Sequence, residues 1–414
     1  AHGVYPLSLH DALPISCFFV CVMSAYRGYA QGHSDMVPTA VSQVLEALTK
    51  LIVGLFLAWY LLYLGFGSEI SAAGAIGGVT ASGLVALLYL MVRHHRRNSP
   101  RSLPPATDKP ERSGKILKTL VVIAIPITLS SSVVPITTYL DTIQVQNLLQ
   151  SALGYAEELA VSLYGCYQKA VTIYNLPSAF MVSLTACIVP AVSAALTKKD
   201  KVGAGKIAES ALRVGAMLAL PAGIGLTVLA GPIIQLLYPE TNQEVGTQCL
   251  MVLGIASIFV CIMLLCNAIL QANGRTALPI WFIAIGSAIK LGVNFVLVQM
   301  PSVGIKGAPV GTLVCFGVVS VLELAAIKRV TPHPPKYLRV FGKAAVAAVL
   351  MGAAAWASYG LLSGHFGNTL SVAGAILVGC VVYVILVVAL RVVSKDDLSL
   401  MPKGEKIAKL LRIR

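Results

Sequence analysis

A bilayer core about 30 Å thick requires roughly 20 consecutive apolar residues in helical conformation, and this sequence repeats such runs along almost its whole length. Ten full segments are expected at 39–64, 70–92, 117–140, 170–196, 208–237, 247–270, 277–300, 305–327, 338–362 and 369–393, with a shorter one at 16–30. In lipid each backbone N–H and C=O must be satisfied within its own segment or by a neighbouring helix, so helices are the expected form even where Pro and Gly interrupt a run. With 57% of the 414 residues hydrophobic and 12% charged, and a mean hydropathy of +0.81, a soluble polar surface is excluded. The expected fold class is an all-α polytopic membrane protein.

The net charge of +14 does not point to nucleic acid, because the basic residues lie in loops between apolar runs and not on one face among aromatics. Their placement reads instead as topology. With the loop after the first segment inside, 27 of the 31 Lys and Arg residues fall in alternate loops and the C-terminal tail, and the opposite loops carry Glu69, Glu157, Glu158, Glu240 and Glu244. That asymmetry predicts cytoplasmic basic loops and a cytoplasmic C-terminus. The nine cysteines form no CxxC pair, and the seven histidines form no metal or catalytic spacing. No P-loop, GxSxG, HExxH, kinase set or dinucleotide turn is present. No metal, no cofactor and no enzyme activity are therefore expected. Gly77–Gly78 and Gly223/Gly225 are read as close helix contacts.

Residues 1–15 have neither the order of a signal peptide nor the length of a membrane helix. The string SLHDALPI, Ser8 to Ile15, resembles the translation of a sequencing adapter. It is expected to be non-native sequence joined to a truncated gene. Residues 93–116 read as a basic, Pro- and Ser-rich cytoplasmic linker. The tail 394–414 places Ile407, Leu410 and Leu411 among lysines, as a helix lying on the inner membrane surface would. An internal repeat links 24–57 to 265–297. Each has a helix ending at Gln31 or Gln271, a Gly-containing turn, a helix opened by Pro38 or Pro279, and a lysine at Lys50 or Lys290. Proline is common at helix starts, so the pattern is also open to coincidence. Taken as a repeat, it divides the chain into a remnant of an N-terminal lobe at 16–92, a six-helix C-terminal lobe at 117–327, and two further helices at 328–393.

Four ordered runs, YRGYAQGHSDMVPTAVSQVLEALTKLIVG, AIPITLSSSVVPITTYLDT, YNLPSAFMVSLTACIVPAVSAA and KLGVNFVLVQMPSVGIKGAPVGT, resemble the polysaccharide-biosynthesis and stage V sporulation protein B family. That family belongs to the multidrug, oligosaccharidyl-lipid and polysaccharide (MOP) flippase superfamily. The resemblance implies a MATE-like two-lobe bundle with eleven of an expected fourteen transmembrane segments present. It also implies alternating-access movement of an undecaprenyl-pyrophosphate-linked sugar, such as a peptidoglycan precursor, across the bacterial cytoplasmic membrane, with a coupling cation as a possible partner. An ion-coupled multidrug exporter on the same fold, and a transport-inactive scaffold, remain open beside it.

A charge at the bilayer centre needs a partner or a wet cavity. Lys290, with no acid within one turn, is the leading candidate for a cavity cation that attracts a pyrophosphate headgroup, with Asn294 one turn on. The alternative is a lysine paired with an acid on another helix. In the first reading, Lys290→Met abolishes transport and leaves the fold intact. Glu46 and Lys50, one turn apart, either neutralise each other or offer one member to a phosphate or cation, with Gln43 extending the stripe. Pro126 and Pro135, among hydroxyl residues, read as the hinges of a broken or bendable gate helix, which puts Asp141 at the outer mouth. Arg27, Asn267 and Gln271 lie at the inner ends of paired helices, either as substrate contacts or as solvated termini.

Overall fold

The computed structural model describes residues 9–390 except 33–34, 36, 98–112, 332–334 and 336. Most of the expected linker and the whole tail from 391 therefore lie outside the described residues. Within them there are helices and turns and no strand, and the helices group into two units, 1–113 and 114–414.

The first unit holds α1 (Leu9–Gly32), α2 (Val37–Tyr63) and α3 (Ser68–Arg97). α1 extends back through seven residues of the stretch read as adapter-like, and α3 runs on through the first residues of the expected linker. α2 lies along α3 at a glycine contact: a Cβ on Gly78 would come 2.5 Å from the Gly54 Cα. Such an approach is how membrane helices gain van der Waals contact where lipid supplies no hydrophobic drive. α1 packs on α3 through Met23, Ala86, Leu87 and Leu90, while Leu51, Leu55 and Trp59 on α2 stay exposed, as lipid-facing residues do.

The second unit is built around α9 (Gln243–Ala272). Its most apolar 18-residue window is 67% buried, as expected of a helix hydrophobic on all sides. Around it lie α4 (Ser113–Ser151), α5 (Glu157–Tyr174), α6 (Leu176–Thr197), α7 (Lys201–Val228), α8 (Ala230–Leu237), α10 (Ala277–Val298) and α11 (Gly307–Val330). α12 (Tyr337–Ser363) and α13 (Asn368–Ala389) pack on each other and onto α7 and α8. Tyr383 donates to the Met217 carbonyl at 2.8 Å, and Asn368 to that of Pro232 at 3.1 Å.

Several expected elements are corrected. The segment 170–196 is two helices, because Pro177 supplies no N–H to continue α5 and the chain turns at Asn175. α5 itself escaped the apolar count because Glu157, Glu158, Gln168 and Lys169 interrupt it. The segment 208–237 likewise divides at Leu229, just before Gly231–Pro232. Of the two forms expected at Pro126 and Pro135, broken or bendable, α4 is not broken: it is one helix through both. Pro135 is exposed, and the side chain of Pro126 lies outside the described set. Of the glycines read as contacts, Gly78 and Gly223 are contacts, whereas a Cβ on Gly225 meets nothing within 4 Å and one on Gly77 meets only a leucine methyl at 3.6 Å. Eight helices among the described residues are long and apolar enough to cross a bilayer, fewer than the eleven segments expected.

Candidate functional site

Inside the second unit, α4, α5, α9, α10 and α11 line a cavity of about 340 Å³. Helical spacing decides what reaches it. Thr137, Thr138 and Asp141 share one face of α4, Tyr164, Tyr167 and Gln168 one face of α5, and Ser287 and Lys290 one face of α10. Its polar centre is an ion pair. Lys290 Nζ donates to Asp141 Oδ2 at 2.8 Å, and Asn294 Nδ2 to Asp141 Oδ1 at 2.5 Å. Both side chains of the pair are well buried, at 13% exposed for Lys290 and 4% for Asp141. Glycine at 311 makes the geometry possible, because a Cβ there would strike Asn294 Oδ1 and come 3.3 Å from the Lys290 carbonyl. Gln144 adds a further tie from α4 to α10, donating to the Leu291 carbonyl at 2.9 Å.

Around the pair, the Tyr167 hydroxyl lies 3.2 Å from Thr312 Oγ1. Gln168 donates to the Tyr164 hydroxyl at 2.6 Å, and that hydroxyl lies 2.7 Å from Thr142 Oγ1. An ammonium carries three N–H donors, and Asp141 takes one. The other two can meet an anionic group entering the cavity, while Asp141 balances the lysine's charge within the pair.

Lys290 and Asn294, expected together on one face, are thus joined by Asp141, expected elsewhere, in one cluster. Asp141, expected at the outer mouth, lies ten residues before the end of α4 with its side chain buried. Glu46 does not pair with Lys50. It accepts from Arg27 at 2.9 Å, and Arg27 Nε also donates to Ser42 at 2.8 Å, while Lys50 and Gln43 stay exposed. Lys50 is twelve residues after Pro38 and Lys290 eleven after Pro279, and one residue turns a side chain by about 100° around the helix, so relative to their prolines the two lysines face different ways. Asn267 is half-buried on α9 and Gln271 exposed; neither lines the cavity. Arg27→Ala should therefore lower the thermal stability of the first unit by about 1–2 kcal/mol, a charged hydrogen bond in a partly exposed setting. Lys50→Ala should leave it within about 0.5 kcal/mol; equal melting shifts for the two would overturn the Arg27–Glu46 assignment.

Sequence reasoning missed Tyr164, Tyr167, Gln168 and Thr312. The signal was present in Ala160, Tyr164, Tyr167, Val171 and Tyr174, whose spacing of four, three, four and three is that of one helix face.

The sequence model described as lipid II flippase MurJ matches residues 14–395. Stage V sporulation protein B of Bacillus subtilis (strain 168) is 27% identical over 404 residues, which is 96% of this chain and 75% of that protein. Among solved structures, a lipid II flippase MurJ in an inward closed conformation superposes with a TM-score of 0.64 at 17% identity, over 90% of this chain and 71% of that one. An inward-facing multidrug resistance MATE family transporter of the MOP superfamily superposes with a TM-score of 0.60 at 16% identity, over 78% and 70%. These two structures share the fold, and with the family model spanning nearly all of the sequence, this multi-pass membrane protein belongs to the lipid II flippase MurJ family.

Proposed function

We propose that the chain is a flippase that carries an undecaprenyl-pyrophosphate-linked sugar from the inner to the outer leaflet of the bacterial cytoplasmic membrane, by alternating access and without covalent chemistry. The observation that carries this reading is the cavity with Lys290 in its wall and two ammonium donors left for an anion. A diphosphate headgroup is the kind of ligand such a lysine attracts, and the tyrosine and threonine hydroxyls around it suit a sugar. The basic loops and the C-terminus lie in the cytoplasm, following the distribution of Lys and Arg. A coupling cation belongs to the same reading.

The multidrug exporter is the weaker alternative, since a cationic drug needs a free acid and the cavity's Asp141 is held by Lys290 and Asn294. Complementation separates the readings. The chain is expected to rescue cells depleted of their lipid-linked precursor flippase. Drug resistance without rescue would favour the exporter, and neither outcome would leave a scaffold.

A further inference from the structure

Glu323 on α11 lies outside the cavity, fully buried, and neither of its carboxyl oxygens has a hydrogen-bond partner among the described residues. It sits where α11 packs on α9 and the start of α12. Its ionisable neighbour on α9 is Cys266. One turn on, Ile327 joins Cys266, Leu270 and Val340 in an apolar cluster. Tyr337, at the start of α12, commits its hydroxyl to the Leu324 carbonyl at 2.6 Å. Asn267, next to Cys266, also keeps its amide oxygen buried without a partner.

No described cation neutralises Glu323. The one charged residue of α10, Lys290, is level with Gly311 and Cys315, on the order of 12 Å back along α11, and is held by Asp141. On α7, Arg213 is taken by Glu209 at 2.8 Å; on α12, Lys343 by the Leu390 carbonyl at 3.0 Å; and Lys306 by Glu244 at 3.2 Å. Lys328 and Arg329 are exposed at the end of α11.

An ionised carboxylate with no partner is strongly disfavoured in such an interior. A metal cation would need several oxygen ligands and room for them, whereas no group of three or more His, Cys, Asp or Glu that could hold one is found among the described residues, and Glu323 does not line the cavity around Lys290. A proton needs neither. We propose that Glu323 is a buried proton-binding site of the second unit, its carboxyl holding the proton in the folded chain. It lies five residues from Lys328, about 7 Å along the helix, so interfacial water can reach it when these helix ends part. The inference goes beyond the flippase reading, which gives this residue no role, and does not depend on the cargo.

Infrared spectroscopy of the full chain in lipid nanodiscs, with glutamate carboxyls labelled with carbon-13, tests it. The wild type at pH 7 should show one protonated glutamate band, lost in Glu323→Gln. Should that variant not fold, Glu323→Asp should remove the band from the labelled glutamates and leave one among the unlabelled aspartates. A wild type with no protonated glutamate, a band that survives the substitution, or a band removed by sodium chloride but not by choline chloride would each overturn the proposal, the last in favour of a metal cation. Transport is not measured, so this result and the complementation result fail separately.

Discussion

Lys290→Met alone is expected to lower stability by about 3–5 kcal/mol and abolish transport, whereas Lys290→Met combined with Asp141→Asn is expected to recover most of the stability and none of the transport. From sequence, the single substitution leaves the fold intact if Lys290 is a free cavity cation, the alternative being a lysine paired with an acid on another helix. The structure has such a pair. Asp141 is 4% exposed and loses the only cation paired with it among the described residues when the lysine goes, and breaking a buried pair from one side is the costly step. Asparagine at 141 removes the orphaned charge and can still accept from Asn294, so the double variant separates what holds the lobe together from what meets the cargo. Thermal unfolding of both singles and the double gives the coupling energy, and headgroup translocation in vesicles gives the activity. A double variant that flips cargo at the wild-type rate would take Lys290 out of the transport path and leave the pair a packing device.

How far the sequence could have led is visible in this cluster. Apolar runs sufficed for a membrane fold, since lipid leaves helices as the natural solution for such segments. The lysine and asparagine of α10 were legible as one polar face because they lie four residues apart on one helix. Their partner was not, because Asp141 is 149 residues away in the chain and no local rule links the two. The half of the site on α5 was hidden for a different reason. Its glutamates, Gln168 and Lys169 lower the local hydropathy, so a search for lipid-facing runs passes over a helix whose apolar face is turned inward. The repeat was legible as a pattern of helix, turn, proline and lysine. Its one-residue slip turns Lys50 and Lys290 to different sides relative to their prolines, and a match by eye tolerates that slip where a helix does not.

The contact between α7 and α9 carries the second large expectation. A Cβ on Gly223 would lie 2.6 Å from the Gly254 carbonyl oxygen, and one on Gly254 would lie 2.7 Å from the Thr227 amide nitrogen. Both obstacles are backbone, so no rotamer change relieves them and the helices must separate. Thr227 also donates to the Met251 carbonyl at 3.1 Å across the same contact, a bond that separation lengthens. Overpacking of this kind costs about 1–3 kcal/mol or more, which exceeds the roughly 1 kcal/mol that alanine gains over glycine in a helix. Gly254→Ala should therefore lower the melting temperature of the purified protein, and Gly254→Val should leave little monodisperse protein on size-exclusion chromatography. Gly225 is the internal control. It lies on the same helix as Gly223 with nothing within 4 Å of an added Cβ, so Gly225→Ala should be neutral or stabilising by up to about 1 kcal/mol. The opposite signs follow from distance alone, since residue type and helix are the same for the two glycines of α7. Melting temperatures that fall equally for Gly223→Ala and Gly225→Ala would mean that the helices do not meet where the structure has them meet.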